Sequence, residues 1–216
     1  AFANRVATAR HAYRLLAARY GDAVVLLTGR MRPIDKDDTV AARLEALSAH
    51  RSRERQLASP IFVVATQTLE VGANLDFDVL VTECASLDAL RQRFGRLNRM
   101  GRPIEGRDRD EYPLGAKAAI LIRADQSEKS DDDPVYGLAL AETWKWLSKQ
   151  AGKAKVLNMG TVALGARLPS GEKLKGLVAP AGHAPVMLPS HVDCWVQTAP
   201  EPAPTPDVAV FLHGPE

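Results

Sequence analysis

Two periods of apolar residues organise the first 125 positions. Val6, Ala9, Tyr13, Leu16, Ala17 and Tyr20 recur at helical spacing, and Gly21 is placed to end the helix they predict. Ala23–Thr28 and Ile61–Thr66 open on apolar runs with no polar alternation, the pattern of short strands buried on both faces. Val79–Thr82 and Ala118–Ile122 predict two more strands. Between the first two lies a polar-faced helix, Asp35 to about His50, with Val40, Leu44 and Leu47 inward. After Val79–Thr82, Ser86 is placed to cap a helix with Asp88 in its first turn, where the helix dipole favours negative charge. Its apolar stripe is Leu87, Leu90, Phe94 and Leu97. Strands alternating with helices predict an α/β fold, a parallel sheet with helices on both faces. In such a sheet ligands collect at the carboxyl ends of the strands.

The pattern changes near residue 124. Ala124–Pro134 is polar, with an acidic run at Asp131–Asp133, and reads as a solvated linker. Asp133-Pro134 then predicts a helix start with proline in its first turn, carrying Tyr136, Leu140, Trp144 and Leu147 inward and ending near Gly152. From Val156 to Glu216, short apolar runs between Gly and Pro predict short strands and loops. The expected organisation is residues 1–124, an acidic linker and helix over 125–152, and a small mixed accessory region over 153–216 that is incomplete.

Composition narrows the class. With 216 residues, 46% hydrophobic and 25% charged, the chain is an ordinary globular protein of one to two domains. Its longest apolar runs are five residues, far below the roughly 20 that span a bilayer, so no membrane partner is expected. Two cysteines, Cys84 and Cys194, make no disulfide framework, which suits a cytoplasmic location. The net charge of +2 conceals an asymmetry: 17 of 19 arginines lie in the first 109 residues, whereas seven of nine lysines follow residue 125. The chain opens at Ala1 without methionine and stops shortly after a strand-like run, as a fragment of a longer protein would.

Two segments carry candidate chemistry. The first, Thr66-Gln67-Thr68-Leu69-Glu70-Val71-Gly72-Ala73-Asn74-Leu75-Asp76, follows a central strand. Its small hydroxyls and backbone N–H groups suit a phosphate backbone, although Asn, Gly and Asp also serve a plain turn between strands. The second is Gln92-Arg93-Phe94-Gly95-Arg96-Leu97-Asn98-Arg99-Met100-Gly101-Arg102. If the helix continues through it, Gln92, Arg96 and Arg99 share a face at i, i+4 and i+7. Such an arginine face can stabilise charge developing on a phosphoryl group; a solvated basic stripe is the alternative. Gly95 inside a helix costs roughly 1 kcal/mol against alanine and suggests close approach by another chain or a ligand. Arg51, Arg53 and Arg55 suit a phosphate contact or an exposed loop equally. Trp144 and Trp146 suit core packing or base stacking, Cys84 reads as a small buried hydrophobe, and His183 and His191 lack metal-ligand spacing.

Together these segments resemble motifs V and VI of the superfamily 2 helicases, in order and spacing, and the stretch from Asn4-Arg5-Val6 to Thr28-Gly29-Arg30-Met31 resembles motif IV and its following strand. All belong to the second of that family's two RecA-like domains. Thr66 through Asp78 followed by Val79-Leu80-Val81-Thr82-Glu83 is similar to the helicase-nuclease of type I CRISPR systems. The stretch around Leu188-Pro189, Trp195-Val196-Gln197-Thr198 and Phe211-Leu212-His213 is similar to the subtype formerly lettered U.

The resemblance implies an ATP-dependent DNA helicase acting in CRISPR interference. Arg96 and Arg99 would be catalytic, reaching the nucleotide phosphates. Gln92, Gly72, Asn74 and Asp76 would belong to the nucleotide side; an aspartate usual at the Asn74 position is displaced here to Asp76, which leaves its contact to the ribose or to motif VI open. Thr66, Gln67, Asn4 and Arg30 would face single-stranded DNA. The implied partners are that DNA, the first RecA-like domain and the CRISPR RNA-guided surveillance complex. ATP and Mg2+ would bind mainly to the first domain, because no G-x-x-x-x-G-K-[ST] loop and no Asp-Glu-x-His or Asp-Glu-Ala-Asp sequence occurs. No metal site is expected here, the isolated chain should be inactive, and the family's nuclease centre is not in it. A superfamily 2 helicase of another role, or a RecA-like binding module without a motor, remains open.

Overall fold

The computed structural model describes residues 1–29, 38–52, 56–70, 74–101, 116–128 and 133–179, with positions 189, 192, 193 and 196 beyond them. Residues Ala1–Ala179 form one unit and Pro180–Glu216 a second.

Four strands lie where the apolar runs predict them: β1 (Val24–Leu27), β2 (Phe62–Ala65), β3 (Val79–Glu83) and β4 (Lys117–Leu121). β1 pairs with β2 and β3 with β4, both parallel, with Val24 opposite Phe62 and Val79 opposite Lys117. The first three residues join the two pairs. Phe2 bridges Ala65 on one side and Thr82 on the other, both in parallel. The Ala3 N–H donates to the Ala65 carbonyl at 2.9 Å, and the Glu83 N–H donates to the Phe2 carbonyl at 2.9 Å. The order across the sheet is therefore β1, β2, Ala1–Ala3, β3, β4. A three-residue strand is too short to show a period, so nothing in the apolar pattern announces it.

The faces follow the pleat. On one side Ala3, Val24 and Val64, with Leu26 and Phe62, meet Ala9, Ala12, Tyr13, Leu16 and Ala17 of α1 (Val6–Tyr20). On the other, Phe2, Val25, Leu27, Val63, Ala65 and Leu80 form a core with Leu47, Leu69 and Leu75. Val40 and Leu44 of α2 (Asp38–Ala46) pack on it, as do Phe94 and Leu97. Helices thus cover both faces of β1 and β2.

α3 (Leu87–Phe94) follows β3 and is shorter than its apolar stripe suggests. Ser86 occupies the N-cap position without using its hydroxyl, which is buried and unpartnered among the described residues. The N-terminal amide of Leu87 instead donates to the Leu177 carbonyl at 2.8 Å, so a distant segment does the capping.

Beyond β4 come α4 (Ala124–Glu128), α5 (Leu138–Ala151), α6 (Thr161–Gly165) and α7 (Glu172–Lys175). Residues Pro134–Gly137 form a separate turn before α5, because Gly137 takes φ +50°, a left-handed value that interrupts the helix. α5 packs Tyr136, Leu140 and Leu147 against Ala85, Ala89 and Leu90 of the α3 region, with Trp146 half-buried beside them. Between residues 153 and 179 the described chain forms two short helices rather than the expected short strands. The aromatic and histidine positions from 183 onward lie outside the described residues.

Candidate functional site

The carboxyl ends of adjacent strands bring together Thr28 after β1, Thr66–Glu70 after β2, Asn4 after the N-terminal strand and Glu83-Cys84 at the end of β3. This is the edge at which parallel sheets bind ligands. Gly29 brings its Cα so close to the second segment that an added Cβ would meet the Thr68 hydroxyl at 3.5 Å. Thr66 is buried and shares its hydroxyl with that of Thr68 at 3.3 Å, while Thr68 is exposed. Gln67 donates through Nε2 to the Asn4 carbonyl at 3.0 Å and to the Tyr136 hydroxyl at 3.4 Å. Asn4 lies in the interior: its Nδ2 donates to the Cys84 carbonyl at 2.7 Å and its Oδ1 accepts from Arg93. Arg30 and Gly72 lie outside the described residues.

The arginine segment does not continue as a helix. Gly95 is the C-cap of α3, and among the described residues an added Cβ would meet within 4 Å only the Arg91 and Gln92 carbonyl oxygens of its own last turn. The glycine therefore marks the end of the helix and not the approach of another segment. Residues 96–98 instead run beside Phe77. The Phe77 N–H donates to the Arg96 carbonyl at 2.8 Å and the Asn98 N–H to the Phe77 carbonyl at 2.7 Å. Asn98 takes φ +42° to make this turn, and asparagine tolerates that region better than most residues.

In consequence Gln92, Arg96 and Arg99 do not share a helical face. Gln92 and Arg99 are exposed. Arg96 is 9% exposed, with Nε donating to the Leu69 carbonyl at 3.2 Å and Nη2 to the Glu70 carbonyl at 2.9 Å. Burial, and then the nearby positive charge of Arg99, push the Arg96 guanidinium below its ordinary pKa. Two like charges held this close are what an anion would relieve.

Asp76 ties the two segments together. It is fully buried; one carboxylate oxygen accepts from the Ser52 hydroxyl, and the other accepts from the Arg99 backbone N–H at 2.8 Å. The displaced aspartate thus reaches the arginine segment from two residues further along the chain. Asn74 is exposed and its Nδ2 lies 2.9 Å from the His50 ring nitrogen.

The residue that sequence reasoning passed over is Arg93. It is 0% exposed. Its Nε donates to Glu70 Oε1 at 2.8 Å, Nη1 to the Thr82 hydroxyl at 2.8 Å and the Glu83 carbonyl at 3.0 Å, and Nη2 to Asn4 Oδ1 at 3.0 Å and Tyr136 at 2.8 Å. Burial raises the Glu70 carboxyl above the usual carboxylate range, against the lowering pull of Arg93. The only advance signal was that an arginine between two stripe residues, Leu90 and Phe94, must point partly inward. Among the described residues no group of three or more His, Cys, Asp or Glu could hold a metal ion, and no helix is long and apolar enough to cross a membrane.

A parallel α/β domain whose strand ends hold a hydroxyl-bearing loop against an arginine segment is consistent with a RecA-like domain. Residues 1–102 match the family described as CRISPR-associated nuclease/helicase Cas3, C-terminal. An 88-residue stretch is 54% identical to the CRISPR-associated endonuclease/helicase Cas3 of Thermus thermophilus, covering 40% of this chain and 9% of that protein. The structure of T. fusca Cas3-AMPPNP superposes with a TM-score of 0.55 at 21% identity, over 77% of this chain and 19% of that one. T. fusca Cas3-ADP gives 0.53 at 21% identity, over 76% and 19%. Residues 1–102 are thus similar to the C-terminal helicase region of Cas3 proteins, and the chain spans about a fifth of the length of the solved relatives it matches.

Proposed function

We propose that this chain supplies the second RecA-like half of an ATP-dependent DNA helicase acting in CRISPR interference. The observation that carries the reading is the junction of the two segments: Arg96 bound to the Leu69 and Glu70 carbonyls, with Arg99 anchored through its backbone to Asp76. Paired guanidiniums fit the terminal phosphoryl group of a nucleotide, because planar N–H donors match phosphate oxygens bidentately. The described residues offer no comparable set for Mg2+, so that ion and the phosphate cradle are assigned to a first RecA-like domain. ATP bound there supplies the phosphoryl group to be transferred.

Arg99, exposed on the turn, extends toward that group. Arg96 follows by exchanging its two carbonyl acceptors for phosphate oxygens. Together they neutralise charge that develops in the transition state, an effect on the order of 10³–10⁵ in rate for arginine-finger enzymes. Release of the Leu69 and Glu70 carbonyls would loosen the Thr66–Glu70 loop, whose exposed Thr68 and half-buried Gln67 would face single-stranded DNA. Nucleotide state and DNA contact are thereby linked through one loop. The interior position of Asn4 suits a role in holding Gln67 rather than in touching DNA, and Gly72, Asn74 and Arg30 are retained as nucleotide- or DNA-side candidates. The surveillance complex as partner and a cytoplasmic location follow from the same reading.

The test is DNA-stimulated ATP hydrolysis by the full-length protein. Wild type should turn over ATP faster with single-stranded DNA, and Arg96→Ala or Arg99→Ala should lower kcat by about 10³-fold or more. Turnover insensitive to both substitutions would remove the arginine assignment. Turnover stimulated by RNA but not DNA would point to a helicase of another role, and no turnover at all to a binding module.

A further inference from the structure

Tyr136 comes from outside the α/β sheet, in the turn after the acidic linker, yet its hydroxyl sits inside the junction just described. It is 4% exposed. Its oxygen accepts from Arg93 Nη2 at 2.8 Å and from Gln67 Nε2 at 3.4 Å. Its ring packs with Ala85, Ala89, Leu90, Leu140 and Leu147. The turn that presents it is built for the purpose. Asp133 Oδ1 accepts from the Val135 and Tyr136 N–H groups at 3.0 and 2.8 Å, and the Gly137 N–H donates to the Asp133 carbonyl at 3.0 Å. The other Asp133 oxygen is held by Gln126 at 3.3 Å and Arg5 at 3.7 Å.

We infer that Tyr136 is a positioning residue through which the segment after the linker sets the geometry of the arginine–loop junction. The inference rests on the helicase reading. The chain of contact is short: the Tyr136 hydroxyl holds the Arg93 guanidinium at 2.8 Å, Arg93 Nε holds the Glu70 carboxylate at 2.8 Å, and the carbonyl of that same Glu70 holds Arg96 Nη2 at 2.9 Å. Gln67, on the loop's DNA side, is held by the same hydroxyl. One oxygen therefore holds the Gln67 end of the Thr66–Glu70 loop directly and the Glu70 end through Arg93, and a shift of the Asp133–Gly137 turn would move them together. Spatial intermediacy alone does not establish coupling, so the test is a functional cycle.

In the full-length protein, Tyr136→Phe keeps the ring and removes the hydroxyl. It should lower kcat of the DNA-stimulated ATPase by about 5- to 10-fold, within the usual range of site–site coupling, at unchanged KM for ATP. Combined with Glu70→Gln it should add little, since both act through the Arg93 guanidinium. Leu147→Ala, which removes packing from the same cluster without touching the hydroxyl, should lower the melting temperature and leave kcat near wild type. If Tyr136→Phe does not fold, Asp133→Ala loosens the turn while keeping the tyrosine and should show the same loss. Wild-type kcat in Tyr136→Phe, or an equal loss in Leu147→Ala, overturns the inference alone. Absence of DNA-stimulated turnover in the wild type removes the helicase reading and this inference with it.

Discussion

A guanidinium shut away from water must find acceptors for five N–H groups inside the protein. Arg93 does so with Glu70, Thr82, the Glu83 carbonyl, Asn4 and Tyr136, and lies with its guanidinium carbon 5.5 Å from the Phe2 ring centroid. Removing one partner of such a buried set leaves the others desolvated and unpaired. Arg93→Met should therefore destabilise by about 3–5 kcal/mol at pH 7, measured by denaturant unfolding. The deficit should shrink in acid. Glu70 already titrates above its ordinary 4.5 because of burial, and losing the Arg93 charge raises it further. A carboxyl raised in the folded state contributes stability that is full below its unfolded pKa and is lost as pH rises through its folded pKa. The Met variant should thus fall furthest behind wild type at neutral pH and recover part of the gap as pH falls toward about 4.5, whereas a pH-independent deficit would argue against the Glu70 pairing. Sequence reasoning could name the arginine cluster but not its buried member. The partners of Arg93 lie 10 to 89 residues away, and no local period carries that information.

Elements were legible where a period runs long enough to declare itself. The fifteen residues of α1 and the apolar cores of β1 and β2 lie where the pattern puts them. Element ends were less so, because they depend on partners from elsewhere. The apolar stripe continues to Leu97, but α3 stops at Phe94, since Leu97 bridges Phe77 and the backbone from 96 to 98 is taken up by that pairing. The left-handed turn at Asn98 that allows it is a residue-specific requirement. Asn98→Val should destabilise by about 1–2 kcal/mol, the cost of putting a residue with a branched Cβ in that region. Asn98→Gly, free of that cost, should remain more stable than Asn98→Val. Thermal unfolding of the two variants decides it; equal losses would mean that the asparagine side chain, and not its backbone angle, holds the turn.

At the scale of the whole chain, a parallel sheet assembled from non-adjacent segments gathers a hydroxyl-bearing loop and an arginine segment at its carboxyl edge, which on the proposed reading would face DNA and nucleotide respectively. On that reading neither segment would do chemistry alone. Charge stabilisation by Arg96 and Arg99 requires a phosphoryl group already cradled and metal-bound, and residues 1–216 contain neither a G-x-x-x-x-G-K-[ST] loop nor an Asp-Glu-x-His or Asp-Glu-Ala-Asp sequence to provide this. The matched stretch covers only 9% of the Thermus thermophilus relative, so most of that protein's length has no counterpart here. Purified residues 1–216 should accordingly hydrolyse ATP at the rate of a buffer control, with or without single-stranded DNA, while the full-length protein turns over. The same chain should still bind single-stranded DNA weakly, with affinity falling as salt rises, because phosphate contacts release counterions. ATP hydrolysis by the isolated chain that Arg96→Ala abolishes would overturn the division of labour, since it would require a complete phosphate site within the residues that carry the arginines.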